Sequence, residues 1–370
     1  MKDVEERTWD VVRQAFEERV PTRKARPGNR LLLGGLALAA IVVVAAVASP
    51  PGRAVFKKVR EAVGVPEAEP ALFSLPTNGR LLVVSKEGGG VWLVRDNGFK
   101  RRIGSYTDAE WSPHGLFVAA TTPHQLVALD VDTGVRWTLP RRASLPRWEG
   151  TRTDTRIAYL TPAGLRVVAG DGTGDHLVDR SAQDVPPAWD PGRAHTVAYV
   201  SADAVVLRRS DSKALVWRTP VTVVPSDLAW SQDGQYLAVV SPKKIVVLDR
   251  NGRVHRTVTT LGEGFVDAAF EPGTHQLALS LRATPRSEVR VVDVDHPGRA
   301  RLLFAGPGTF GDFAWSPDGR WLLLTWPTAD QWLFLRGSHV HAVANIREQF
   351  PRADDRPPSL DLAGRWCCSR

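Results

Sequence analysis

The sequence predicts an all-β fold, a β-propeller of four-stranded blades, on three observations. First, an aromatic residue just ahead of a turn recurs at Trp111 (WSPHG), Trp189 (WDPG), Trp230 (WSQDG), Phe270 (FEPG) and Trp315 (WSPDG). Weaker copies stand at Phe73 (FSLPTNGR) and Trp148 (WEGTRTDTR), so successive spacings are 38, 37, 41, 41, 40 and 45 residues. Such a period belongs to stacked repeat units. Second, each unit carries two short apolar runs after its turn, as at 236–240 and 245–248. A hairpin signal such as Asp249-Arg250-Asn251-Gly252 and a third run follow. Third, no helical apolar period occurs between Gly79 and Ala344. A lone four-stranded sheet would leave both faces in water, whereas radial stacking in a closed ring covers them. Seven anchors predict seven blades, or six if the Phe73 unit contributes only closing strands.

Composition fits this reading. Of 370 residues 43% are hydrophobic, enough for a sizeable core and too many for a disordered chain. Only two cysteines occur, adjacent at Cys367 and Cys368, which excludes a disulfide framework and a Cys-rich zinc module. The net charge of +8 raises the question of nucleic acid. The basic residues are scattered, however, with nothing denser than the loose cluster Arg19, Arg23, Lys24, Arg26 and Arg30. A nucleic-acid surface concentrates such charge among stacking aromatics, so no nucleic-acid partner is expected.

In chain order, residues 1–30 form a stub. Val4, Trp9, Val11, Val12, Ala15, Phe16 and Val20 fall on one half of a helical wheel, with Pro21 ending it. Its apolar face calls for lipid or a cytoplasmic partner, because an isolated helix of this length is marginal in water. Residues 31–48 (LLLGGLALAAIVVVAAVA) carry no charge and as a helix would extend about 27 Å, enough to cross a thin bilayer. This predicts one membrane span. The long stretch ahead of it argues for a retained anchor over a cleaved signal. Five basic residues precede it and four follow (Arg53, Lys57, Lys58, Arg60). That balance favours a cytoplasmic N-terminus and an extracytoplasmic bulk in the cell membrane. Residues 49–72 are a linker, 73–345 the propeller, and 346–370 a tail that could return to close a blade.

The turn chemistry has a mechanism. In Trp315-Ser316-Pro317-Asp318-Gly319, Pro fixes φ, Asp suits the third position and Gly supplies the left-handed residue. The aromatic ring ahead of it plugs the sheet against its neighbour. The segments Ala314-Trp315-Ser316-Pro317-Asp318-Gly319-Arg320-Trp321-Leu322 and Ala229-Trp230-Ser231-Gln232-Asp233-Gly234-Gln235-Tyr236-Leu237 resemble the A-W-S-P-D-G-x-x-L motif of TolB-like and WD-repeat-like propellers. The resemblance runs from about Phe73 to Asn345 and implies the fold while saying little of function. The Trp148 copy departs from the motif, having no following Pro and a longer turn, so an irregular blade is expected there. The stub, the span and the repeats together look like single-pass bacterial membrane proteins whose propeller faces outward.

No catalytic constellation stands out. There is no G-x-S-x-G elbow, and Gly170-Asp171-Gly172-Thr173-Gly174-Asp175 lacks the Lys-Ser/Thr and the helix of a phosphate loop. Asp130 and Asp132 echo a calcium loop without its closing acid and read as a hairpin. His339 and His341 alternate on a late strand and read as ordinary strand residues. No cofactor and no metal are expected. Because a vicinal disulfide strains the backbone, Cys367 and Cys368 read as separate thiols, an intermolecular bridge or a soft-metal pair. The expected function is non-enzymatic: a membrane-anchored module or scaffold binding a protein, peptide or glycan, with the stub available for signalling. The alternative is a propeller-type hydrolase or lyase with its site at the central channel. The first reading expects a mixed surface with ordinary titration, the second an ionisable cluster around the axis with shifted pKa values.

Overall fold

The computed structural model describes residues 74–368 apart from 86–89, 152, 260–263, 284–285, 297, 299, 351–359 and 362–365. Its strands assemble into seven antiparallel sheets, the blades of a β-propeller. Blade 1 contains Arg80–Ser85, Gly90–Arg95 and Lys100–Gly104. Blade 2 follows with Asp108–Trp111, Phe117–Thr121, Leu126–Asp130 and Gly134–Leu139. Blade 3 has Ser144–Trp148, Arg156–Thr161, Gly164–Ala169 and His176–Asp179, and blade 4 has Ala188–Trp189, Thr196–Ser201, Ala204–Arg209 and Leu215–Pro220. Blade 5 is built from Asp227–Trp230, Tyr236–Val240, Lys244–Asp249 and Val254–Thr259. In blade 6 the strands are Gly264–Phe270, Gln276–Arg282, Arg286–Asp293 and Arg301–Pro307. Blade 7 comprises Phe313–Trp315, Leu322–Trp326, Gln331–Arg336 and His339–Ala344. The stub, the apolar segment 31–48 and the linker lie outside the described residues. Among those described, no helix is long and apolar enough to cross a membrane.

Ring closure is made by the tail. The two-residue strands Leu360–Asp361 and Trp366–Cys367 pair antiparallel with Arg80–Ser85, giving blade 1 its innermost strand from the far end of the sequence. The register there matches the other blades. Trp366 stands opposite Leu81 and Asp361 opposite Val84, three residues apart on the partner strand. In blade 2 Trp111 stands opposite Val118 and Asp108 opposite Thr121, again three apart. Trp366 therefore holds the anchor position of blade 1, while Phe73 falls outside the described residues.

Sequence explains the strand types. The two middle strands of each blade are covered on both faces, so they read as continuous apolar runs such as Leu237, Ala238, Val239 and Val240, all buried. The outermost strands alternate toward water, as in Val254–Thr259 (VHRTVT). Pairing between the third and fourth strands slips in blades 1 to 6, at an equivalent place in blades 2, 4 and 5, for example between Val247 and Leu248, and two residues earlier in blades 1, 3 and 6. A bulge of this kind sharpens the twist of each outer edge. Blade 3 carries a second irregularity between Ser144 and Arg147, on the inner strand leading to Trp148.

The anchor turns lock the blades to one another. Ser112, Ser231 and Ser316 are buried, and each hydroxyl accepts the N–H of the residue five positions on (Phe117, Tyr236 and Trp321), at or just before the start of the next strand, at 2.9–3.0 Å. Gly319 sits at φ +68°, the left-handed value its turn requires. Between blades 5 and 6, His275 bridges two carboxylates, with Nε2 at 2.9 Å from Asp233 and Nδ1 at 2.6 Å from Asp295. Burial by itself would lower the His275 pKa, but hydrogen bonds to Asp233 and Asp295 outweigh it and raise the pKa above its ordinary value. A raised folded-state pKa gives stability that is full in mild acid and fades as pH climbs through that value. His275→Gln is therefore expected to destabilise the fold by about 0.5 kcal/mol at pH 6, given solvent screening, and by less at pH 9. Urea denaturation at the two pH values measures this, and an equal loss at both would contradict the charged clamp.

Candidate functional site: the central channel

The inner strands surround a channel of about 920 Å3, lined by residues of blades 2 to 7 together with Val84 and Trp366 of blade 1. The anchors Trp148, Trp189, Trp230, Phe270 and Trp315 form part of its wall. Three of them also relay hydrogen bonds from blade to blade. The indole N–H of Trp189 donates to Arg147 O (2.8 Å), that of Trp230 to Ala188 O (3.2 Å), and that of Trp315 to Ala269 O (3.3 Å). In each case the acceptor is the residue just before the preceding blade's anchor. Trp148 instead donates to Thr155 Oγ1 inside its own longer turn. The indoles of Trp111 and Trp366, on either side of the closing seam, have no hydrogen-bond acceptor among the described residues.

Three positions before the anchor, the inner strands carry Asp108, Asp227, Asp267 and Asp312 in blades 2, 5, 6 and 7, and all four line the channel. Leu145 and Pro186 take this place in blades 3 and 4. One position before the anchor stand Glu110 and Arg147, with alanine in blades 4 to 7. Arg147 Nη1 lies 3.9 Å from Glu110 Oε2, and Asp108 and Asp227 also act on this guanidinium. Among the described residues the channel thus gathers five carboxylates and one arginine.

Asp267 is the most perturbed of them. Burial pushes its carboxyl up to about 7, and the neighbouring Asp312 and Asp227 carboxylates add to the push, against the backbone N–H groups that favour ionisation. Its Oδ1 accepts from Ala268 N at 2.7 Å and its Oδ2 from Phe313 N at 3.2 Å, which ties blade 6 to blade 7. Asp108 Oδ1 makes the same local bond with Ala109 N at 2.8 Å. These carboxylates are held by backbone that the strand register fixes, so their charges are preorganised rather than mobile. The binding reading's expectation of ordinary titration around the axis is corrected, and the outcome is the one expected of the enzyme alternative: like-charged groups crowd into a confined, partly desolvated passage.

The other sequence candidates lie elsewhere. Asp130 Oδ1 accepts from Asp132 N and Thr133 N, and these bonds lower its pKa, as a hairpin carboxylate requires. Asp171 caps Thr173 in the 170–175 hairpin in the same way. His339 and His341 face Arg336 and Phe334 across the outer strand pair of blade 7. Among the described residues no three His, Cys, Asp or Glu side chains converge at metal-ligating spacing. Cys367 and Cys368 form a vicinal disulfide, against the expectation of separate thiols, an intermolecular bridge or a soft-metal pair. Cys367 ends the strand Trp366–Cys367, and Cys368 beyond it takes a left-handed backbone at φ 40°. The channel aspartates were missed although their signal was present: Asp-x-x-Trp/Phe recurs at the same offset in four repeats, visible once the repeats are aligned on their anchors.

No family model and no curated relative matches the chain. Solved structures are similar at 14% identity. A putative 6-phosphogluconolactonase from Bacteroides uniformis aligns with TM-score 0.55 over 77% of this chain and 99% of its own. The Cps50 (Swd1) β-propeller domain from Myceliophteria thermophila aligns with TM-score 0.51 over 66% and 86%. Kuenenia stuttgartiensis hydrazine synthase aligns with TM-score 0.51 over 62% and 76%. At such identity the likeness establishes the seven-bladed fold alone.

Proposed function

We propose that this chain is a membrane-anchored binding propeller of the TolB-like or WD-repeat-like kind, held by residues 31–48 with its ring outside the membrane. Its ligand is a protein or peptide that seats a cationic side chain among the channel carboxylates. The observation that carries the reading is the convergence of Asp108, Glu110, Asp227, Asp267 and Asp312 on one channel, against Arg147 alone among the described residues. Walls of low dielectric focus such a field, and a cation entering it would relieve carboxylate repulsion that the fold otherwise bears. Both Asp267 oxygens already accept backbone N–H groups, which suits fixed electrostatics better than proton shuttling. Calorimetric titration at low salt with tetralysine and tetraglutamate peptides tests this. Only tetralysine is expected to bind, and Asp267→Asn combined with Asp312→Asn should weaken it at least tenfold. Equal behaviour of the two peptides would refute the reading. Proximity labelling from each side of the membrane checks the orientation.

One observation favours a second reading, a hydrolase or lyase: a carboxyl titrating near 7 matches a general base at neutral pH. In that case Asp267→Asn would abolish turnover of a substrate while leaving its binding nearly unchanged. The same substitution also has a stability signature. Because the folded-state pKa is raised, Asp267 stabilises most below its unfolded value of about 4, and that contribution is lost as pH rises through 7. Asp267→Asn should remove about 1–2 kcal/mol of that decline between pH 5 and pH 8, as read from denaturation midpoints.

A further inference from the structure

At the closing seam of the ring a disulfide takes part in the contact between blades. The indole relay that joins blades 3 to 4, 4 to 5 and 6 to 7 has no counterpart at Trp366 or Trp111, whose N–H groups find no acceptor among the described residues. At this junction the Cys367–Cys368 disulfide lies against the anchor turn of blade 2. Cys367 Sγ is 4.0 Å from Ser112 O, and Cys368 Sγ is 3.5 Å from Pro113 O. A Cβ added at Gly115 would stand 3.2 and 3.1 Å from the two sulfurs, so the approach of the turn to the pair depends on glycine at this position. Arg80, whose backbone pairs with Cys367, reinforces the contact by donating from Nη2 to Gly115 O at 2.7 Å and by placing its guanidinium over Trp111.

We propose that Cys367–Cys368 is a thiol–disulfide exchange site for a dithiol reductant, and that its redox state sets how firmly the C-terminal strand closes the ring. Both residues are partly exposed, so a thiolate can approach. The reductant's thiolate attacks one Sγ, the Cys367–Cys368 bond breaks, and a mixed disulfide forms with the other cysteine released as a thiolate. The reductant's second thiol then displaces the remaining cysteine. Two electrons and two protons pass to the protein, leaving two cysteine thiols, and the reductant leaves as its own disulfide. Unbonded sulfurs need roughly 3.5 Å between centres. Cys368 Sγ already stands 3.5 Å from Pro113 O, at contact distance, so reaching that separation moves a sulfur from its present place against the turn. That movement is expected to loosen the end of the Trp366–Cys367 pairing with Arg80 and Leu81. So short a loop adds little global stability through chain entropy, and the effect is local.

The test uses the full-length chain purified without reductant, with dithiothreitol as the probe. The protein has no other cysteine, so any response traces to this pair. Alkylation followed by mass spectrometry should find no free thiol before treatment and two after. Amide hydrogen exchange should then quicken at least tenfold at Arg80, Leu81, Trp366 and Cys367, with Leu237–Val239 of blade 5 unchanged. The double substitution Cys367→Ala, Cys368→Ala should exchange fast at the seam with or without dithiothreitol. Resistance of the disulfide to dithiothreitol in the native protein would overturn the exchange site. Complete reduction with unchanged exchange at the seam, or a dithiothreitol response in the double variant, would overturn the latch.

Discussion

Trp366→Ala is expected to lower the unfolding free energy by about 3–5 kcal/mol, as large aromatic truncations in packed cores do. The ring is 4% exposed and sits edge-on to Phe334 at 5.7 Å. Its cluster joins Leu75, Leu81, Val83 and Val94 on the blade 1 side to Ala314, Leu323, Trp332 and Phe334 on the blade 7 side. Removing it opens a cavity where the two ends of the chain meet, a site with little freedom to collapse because blades on both sides fix its walls. Gly79 faces the indole so closely that a Cβ there would lie 2.5 Å from Nε1, which leaves no slack for a neighbour to fill the gap. Guanidinium denaturation of the full chain measures the change. A loss below about 1 kcal/mol would mean that the tail does not close the ring.

Arg147→Ala should be the next most damaging change, for an electrostatic reason. Among the described residues Arg147 is the one cation lining the channel with these carboxylates, and its side chain is 21% exposed beside Glu110 at 13%. Removing one partner of a largely buried pair leaves the other charge uncompensated, an effect of about 3–5 kcal/mol when burial is complete. With partial exposure about 2–3 kcal/mol is expected at pH 8. The carboxylates can take up protons as pH falls, so the loss should shrink to about 1 kcal/mol at pH 5. Denaturation at both pH values reads this slope. If the variant loses more at pH 5 than at pH 8, the channel carboxylates are not the partners of Arg147.

The relation between sequence and structure differs from element to element. Trp111, Trp148, Trp189, Trp230, Phe270 and Trp315 each end an inner strand. Their positions were legible because a turn motif and an aromatic plug are local features, repeated at the period of the blade. The inner strand of blade 3, whose Trp148 copy departs from that motif, is irregular, but so is that of blade 6 between Phe265 and Asp267. The aspartates three residues upstream share the same period and were overlooked because a single Asp in a strand carries no chemistry. Their meaning arises only when four strands, separated by forty or more residues, point the same register position at one axis.

What the amino-acid order determined unaided is the repeating unit: strand alternation, turn chemistry and anchor spacing are near-neighbour properties, and they suffice to specify an all-β ring. Closure was decided by tertiary structure. Leu81 and Trp366 meet across 285 positions in the chain, and no local preference can announce which distant segment supplies a missing strand. The same holds for the charge in the channel and for the union of Cys367 with Cys368 against the Ser112–Gly115 turn. Coulomb repulsion, desolvation and sulfur contacts depend on distance in space, and that distance is set once the blades have come full circle.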